Sequence, residues 1–236
     1  YAEATLNKFV SGLKLWHAIH GLPWSLDRVQ GRTIRQAFKN ISLDPLNLRR
    51  PIRIDDFKAM RAHMDPHDPG DAAIYACVLF AMWSMSRHGE LTVRTGSDPP
   101  SRRARHGDFK PIQDTPDGPI NSYPLHIPSD KTHARAGFDR VASAQPNNLP
   151  ICPVTAVRWH LHVNSSVPKD AGAFAYRGKL GKLYELTSSH FGKTINDWLR
   201  KGGRPPIQGH SFRIGGATLL HANGISIADI KHLGGC

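Results

Sequence analysis

Gly209-His210-Ser211-Phe212-Arg213-Ile214-Gly215-Gly216-Ala217 is the stretch on which the reading of this chain turns. It opens an amphipathic run that reaches Ala222, and Gly224 stands where a helix would stop. A helix starting near Ser211 carries His210 and Arg213 on one side of its N-terminus. Free backbone N–H groups and the helix dipole favour an anion there, so the environment suits a phosphate. The His-x-x-Arg spacing alone decides little, because so short a match recurs by chance in a chain rich in both residues. Context must carry it. Upstream, Arg87-His88-Gly89-Glu90-Leu91 closes a long apolar segment, and Ser129-Asp130-Lys131-Thr132 lies between the two stretches.

Composition points the same way. The chain has 236 residues, enough for one domain of ordinary size and part of a second. Its 31 Lys+Arg stand against 19 Asp+Glu, a formal charge of +12. Such an excess favours a polyanionic partner through counterion release and steering, with nucleic acid as the leading candidate. An anionic membrane is the rival. No apolar run of spanning length, signal peptide or compact basic tail beside an amphipathic anchor supports it. The expectation is an intracellular protein, nuclear if the source is eukaryotic, with no membrane partner. Cys77, Cys152 and Cys236 lie far apart without Cys-x-x-Cys spacing, so neither a disulfide framework nor a zinc ribbon is expected. His17/His20 and His160/His162 lack carboxylate or thiolate partners at ligand spacing, and no metal or other cofactor is expected.

The chain divides by pattern. Leu6, Phe9, Val10, Leu13, Leu15, Trp16 and Ile19 recur at helical spacing, and Ile34, Ala37 and Phe38 predict a second helix after Leu22-Pro23-Trp24. This run begins inside an amphipathic pattern without an N-cap signal, and is expected to be the end of a larger helical domain. Residues 41–51, with Pro45, Arg49, Arg50 and Pro51, break helix and read as a linker. Asp55-Asp56-Phe57 then starts a helix with acids in its first turn, and Asp71 to Ser86 predicts a longer apolar helix. After Arg94 the sequence is rich in Gly, Pro and Arg through Gly118. Tyr123 to Ile127 and Arg140 to Ala142 predict short strands flanking Lys131. Helices are predicted at about 153–164, 186–201 and 211–222, with one more short turn or helix from Ile225 to Leu233. The fold class is mainly α with a small antiparallel β-hairpin, and no internal repeat is visible.

The three stretches, in this order, resemble the tyrosine recombinases, the phage-integrase-like enzymes that break and rejoin DNA. The resemblance continues through Ala222-Asn223-Gly224-Ile225-Ser226 and Ile230-Lys231-His232-Leu233-Gly234-Gly235, and its style is similar to recombinases of eukaryotic mobile elements and transposons. It implies a catalytic domain over residues 49–236, preceded at 1–48 by the end of a helical core-binding (SAM-like) domain. It also implies DNA recombination or integration through a phosphotyrosine, without metal, cofactor or ATP. Arg87 and Arg213 would clamp the phosphate, because guanidinium offers bidentate donors and stays protonated. His210 would donate a hydrogen bond or move a proton, and Lys131 would protonate the leaving 5′-oxygen. Glu90 would orient its neighbours. Lys110 is an alternative to Lys131, since any basic loop supplies lysines. Arg87 and Glu90 could instead simply close a buried helix, and His210 with Arg213 could be a helix cap that meets no substrate.

The family follows its Gly-Gly with a Trp or His and then the nucleophilic Tyr. Here Cys236 takes the first position, and the tyrosines are Tyr1, Tyr75, Tyr123, Tyr176 and Tyr184, none after His210. The expectation is that the chain as given cannot complete cleavage, whether as a truncated product of an active lineage or as a decayed element. Intact recombinase protomers on DNA could supply the Tyr in trans, and the chain is expected to be a monomer off DNA. DNA binding should suffer less. Residues 177–213 carry Arg177, Lys179, Lys182, Lys193, Arg200, Lys201, Arg204 and Arg213 against Glu185 and Asp197, eight basic residues to two acidic. Arg102, Arg103 and Arg105 in the Gly/Pro-rich loop could also reach phosphate. A solvated charged face is the plainer reading of any one of these lysines. Two other functions compete: a DNA-binding relic of a mobile element without turnover, and a type IB topoisomerase-like enzyme, which shares the chemistry.

Overall fold

The computed structural model of the protein describes residues 3–41, 50–94, 103–128 and 137–234. It contains two units, residues 1–48 and residues 49–236. In the first, α1 (Glu3–Ile19) and α2 (Arg28–Ile41) are joined through Leu22-Pro23-Trp24. Asp27 starts α2, its carboxylate accepting from the N–H groups of Val29 and Gln30, both at 2.7 Å. The apolar residues Phe9, Leu13, Leu15 and Trp16 of α1 are exposed.

The second unit is built from α3 (Ile54–His63), α4 (Pro69–Trp83) and the one-turn α5 (His88–Leu91), followed by strands β1 (Ile112–Gln113), β2 (Ile120–Ile127) and β3 (Phe138–Ser143). Next come α6 (Pro153–Val163), the two-residue strands β4 (Tyr176–Arg177) and β5 (Leu183–Tyr184), and α7 (Ser188–Lys201), α8 (Ser211–Ala222) and α9 (Ile227–Gly234). The architecture is mainly helical with a small antiparallel sheet, as the sequence pattern predicts. The sheet order is β1-β2-β3, and β2 pairs with β3 from Ser122↔Ser143 to Ile127↔Phe138. The connection between β2 and β3 carries Lys131, which lies outside the described residues, as do Arg102 and Cys236. Among the described residues no helix is long and apolar enough to cross a membrane.

Helix α4 is the hub. Every residue from Ala72 to Met82 is buried, so the helix has no solvent face, and α6, α8 and β3 pack around it. Asp68 starts it, accepting from the N–H groups of Gly70 and Asp71, and Pro69 takes the first helical position, where no N–H is needed. The predicted span ended at Ser86, but the helix stops at Trp83. Met85 takes a left-handed conformation with φ 50°, Ser86 N–H reaches Ala81 O at 2.9 Å, and Met85 N–H reaches Met82 O at 3.1 Å. This pair of bonds satisfies the last carbonyls of the helix, with a methionine where glycine usually sits. The turn delivers the chain to Arg87.

Two glycines set the spacing of the hub. A Cβ at Gly216 would collide with the Met82 carbonyl of α4, and one at Gly215 with the side chain and carbonyl of Ile52. Ile52 N–H in turn donates to Ser211 O at 3.1 Å, tying residues 50–53 to the start of α8. On the inner face of α6, His160 is fully buried. Asn164 lies against its Nδ1 at 3.1 Å and Ala173 O against its Nε2 at 3.1 Å, with His106 edge-on at 5.2 Å. Burial, and then the charge of His106, push the His160 imidazole down to about 3, against the opposing hydrogen bond to Ala173.

Two outcomes follow from this packing. Gly216→Ala should lower stability by about 2 kcal/mol in urea denaturation although alanine is the better helix former, whereas Gly192→Ala, whose Cβ meets nothing within 4 Å, should be neutral or stabilising. His160 takes up its proton far more readily unfolded than folded, so it costs stability as pH falls from about 6.5 towards 3. His160→Gln should remove about 1.4 kcal/mol per pH unit from the slope of unfolding free energy in that window. An unchanged slope would mean the imidazole does not stay neutral.

Candidate active site

The turn after α4 places Arg87 immediately before α5, and Glu90 in the same short helix reaches back to it. Glu90 Oε2 accepts the Arg87 backbone N–H at 3.2 Å, and Arg87 Nη1 donates to Glu90 Oε1 at 3.0 Å. The carboxylate is nearly buried while the Arg87 side chain keeps 35% of its surface exposed. A second guanidinium meets the same carboxylate. Arg140 of β3 donates to Glu90 Oε2 at 3.3 Å and through Nη1 to the Leu233 carbonyl at 3.0 Å. Its side chain is 4% exposed and lies over the Phe138 ring at 4.5 Å.

Arg213 joins the group from α8, donating through Nη2 to the Gly234 carbonyl. Leu233 and Gly234 form the last turn of α9, where carbonyl groups lack helical partners and attract cationic donors. Adjacent carbonyls at one helix end thus gather Arg140 and Arg213, and Glu90 ties Arg140 to Arg87. Two guanidinium groups hold one carboxylate, and a third, that of Arg213, meets the same helix end. That surplus of positive charge, with Arg87 partly open to solvent, suits a bidentate anion such as a phosphodiester.

His210 sits at the N-cap of α8 and is exposed. Its side chain makes no capping bond, and the first turn of α8 contains no acid. Helix starts are usually stabilised by an acid or a capping hydroxyl, and this one carries a histidine and an arginine instead. His210 is drawn towards α5 through its neighbour. Gly209 packs so closely on the His88 ring that a Cβ there would overlap it. His88 also stacks on Phe191 with centroids 5.8 Å apart. Burial lowers the His88 pKa, partly offset by a hydrogen bond to the Gly209 backbone, so the imidazole acts as a neutral spacer between the two motifs.

Arg87, Glu90 and Arg213 therefore belong to one connected cluster, and His88 links it to the loop of His210. Lys110 is exposed in the segment before β1. Sequence reasoning missed Arg140 as part of this group. Its signal was present, since β3 buries Arg140 and Ala142 alternately with exposed residues, and an arginine at an inward register position needs a partner.

Many cations expected at DNA are committed to acids. Arg103 pairs with Glu185 at 3.0 Å, Arg105 with Asp108 at 2.9 Å, and Arg200 and Lys201 share Asp197 at 2.6 and 2.7 Å. Arg204 is held at 2.8 Å by Asp56, a fully buried carboxylate that also takes Arg50 at 2.7 Å and the Arg53 N–H at 2.8 Å. Burial alone would raise the Asp56 pKa, but these bonds outweigh it and hold it below the usual 3.8. The stability it contributes is present above that value and is lost as pH falls through the depressed one. Lys179, Lys182 and Lys193 are exposed, Lys182 standing 5.4 Å from the Tyr184 ring centroid. Arg177 is spent on the Ser166 and Gly181 carbonyls, bracing the turn between β4 and β5.

The cluster makes a stability statement. Glu90→Gln leaves Arg140 buried without its countercharge and should cost about 3 kcal/mol in chemical denaturation. Adding Arg140→Met should restore part of that loss, and simple additivity of the two changes would show that the groups are not coupled.

No family model and no curated protein matches the chain. Among solved structures it is similar to the crystal structure of XerA recombinase, with 19% identity and a TM-score of 0.47, over 100% of this chain and 68% of that one.

Proposed function

We propose that residues 49–236 form a tyrosine-recombinase-type catalytic domain that binds duplex DNA and polarises a phosphodiester for attack by a tyrosine. Residues 1–48 are then part of the helical domain that precedes it. The observation that carries this reading is the convergence of Arg87, Arg140 and Arg213 on Glu90 and the end of α9, beside a helix start that contains no acid.

The chemistry follows from charge. Attack on a phosphodiester builds negative charge on the non-bridging oxygens, and fixed guanidinium donors stabilise it without reorganising. In this reading Arg87 and Arg213 clamp those oxygens, and Arg140, more deeply buried, holds Glu90 and hence the direction of Arg87. His210 donates a hydrogen bond to the same phosphate or carries a proton. Lys131, in the β2–β3 connection, protonates the leaving 5′-oxygen. Residues 211–236 contain no tyrosine, so the part assigned to these 236 residues is phosphate binding and activation. Lys179, Lys182 and Lys193 supply backbone contacts outside the site.

The test is binding of a labelled duplex followed by fluorescence anisotropy across a salt series. Arg87→Gln and Arg213→Gln should each reduce the slope of log affinity against log salt by roughly one, the value expected for one lost phosphate contact. Thermal unfolding of each variant should separate this from loss of fold. Slopes unchanged in well-folded variants would remove the arginines from the DNA interface, and with them this reading.

A further inference from the structure

On the unit that carries the arginine cluster, and sharing no residue with it, lies a concave pocket of about 690 Å³. Its walls come from the end of α3, the first half of α4, α6 and the 3-10 turn Leu149–Ile151. The volume falls in the range of small-molecule sites.

The walls are aromatic and held in place from behind. Trp159 donates its indole N–H to Pro66 O at 2.7 Å, and Tyr75 donates its hydroxyl to Pro150 O at 2.9 Å. Trp159 keeps 38% of its surface open to the pocket, whereas Tyr75, 4% exposed, forms the closed back of the wall. Met64 and Leu149 extend the apolar surface, and Leu149 is 61% exposed although nothing polar requires it there. Open apolar concavities of this kind are characteristic of binding sites.

The charge is one-sided. Arg61 and Arg158 line the pocket, while no aspartate or glutamate does. Arg61 stands 5.7 Å from the Tyr75 ring centroid and reaches the Met64 sulfur at 3.6 Å. Among the described residues neither arginine has a carboxylate partner, in contrast to Arg50, Arg103, Arg105, Arg200 and Arg204, each of which is paired with an acid. Two guanidinium groups without a carboxylate partner, beside an exposed indole and leucine, are complementary to a ligand with a flat apolar body and one anionic head.

We propose that this pocket is a binding site for a small amphipathic organic anion, an aryl or alkyl carboxylate, with Trp159 and Leu149 against its body and Arg61 and Arg158 at its head. The site is independent of the DNA reading and stands or falls separately. The probe is 1-anilinonaphthalene-8-sulfonate, titrated fluorimetrically into the whole chain, with its uncharged relative N-phenyl-1-naphthylamine alongside. Saturable one-to-one binding of the sulfonate is expected, displaced by 2-naphthoate and not by 2-naphthylmethanol. The exposed double change Arg61→Gln/Arg158→Gln should weaken sulfonate binding about tenfold and leave the neutral probe unchanged, with the urea midpoint confirming an intact fold. Non-saturable binding, or sulfonate affinity unaffected by the double change, would overturn the assignment. So would displacement of the probe by duplex DNA but not by naphthoate, which would make the two arginines part of a nucleic-acid surface.

Discussion

A helix buried on every side sets the terms for the rest of the second unit. Because α4 offers no polar face from Ala72 to Met82, each neighbour must cover it with apolar or small residues, and each must approach closely enough to exclude water. α6 meets this with buried Val154 and Val157, and α8 with Phe212 and Gly216. The constraint reaches the site because α4 ends in a main-chain turn rather than in solvent. The left-handed Met85 costs some backbone energy, and the turn redirects the chain so that Arg87 emerges beside the start of α8.

Electrostatics is arranged around this apolar hub at two separate points. Asp56 collects Arg50 and Arg204, and Glu90 collects Arg87 and Arg140. In each case a carboxylate with little or no solvent exposure is held by two guanidinium groups, but only removal of Glu90 would leave a buried cation, Arg140, uncompensated. The two groups differ in how they are closed. The Asp56 group is completed by backbone carbonyls of Pro205 and Pro206 and closes on itself, whereas the Glu90 group is completed by the end of α9 and leaves Arg87 partly open.

The helices and the main hairpin were legible because they rest on local pattern. The predicted spans 153–164, 186–201 and 211–222 lie within two residues of α6, α7 and α8, and the expected last turn is α9. The end of α4 was not legible, since nothing local announces a methionine in a left-handed turn. The pairing of Arg204 with Asp56 joins residues 148 positions apart, and that of Arg140 with Glu90 joins residues 50 apart. Long-range pairing of this kind leaves no spacing signal. His88 illustrates the point: it was read only as part of a motif, yet its ring fills the space that Gly209 leaves. Composition marked this chain as basic without telling which cations were already paired internally.

The close approach of Gly216 to the Met82 carbonyl bears on how such a chain can drift. Where two helices touch through main chain, their separation does not depend on the volumes of the side chains around them. The larger core residues can then exchange with one another, with compensating changes in size, while Arg87 and Arg213 keep their relative positions. Mutational tolerance across the apolar layer and intolerance at Gly216 are two sides of the same contact.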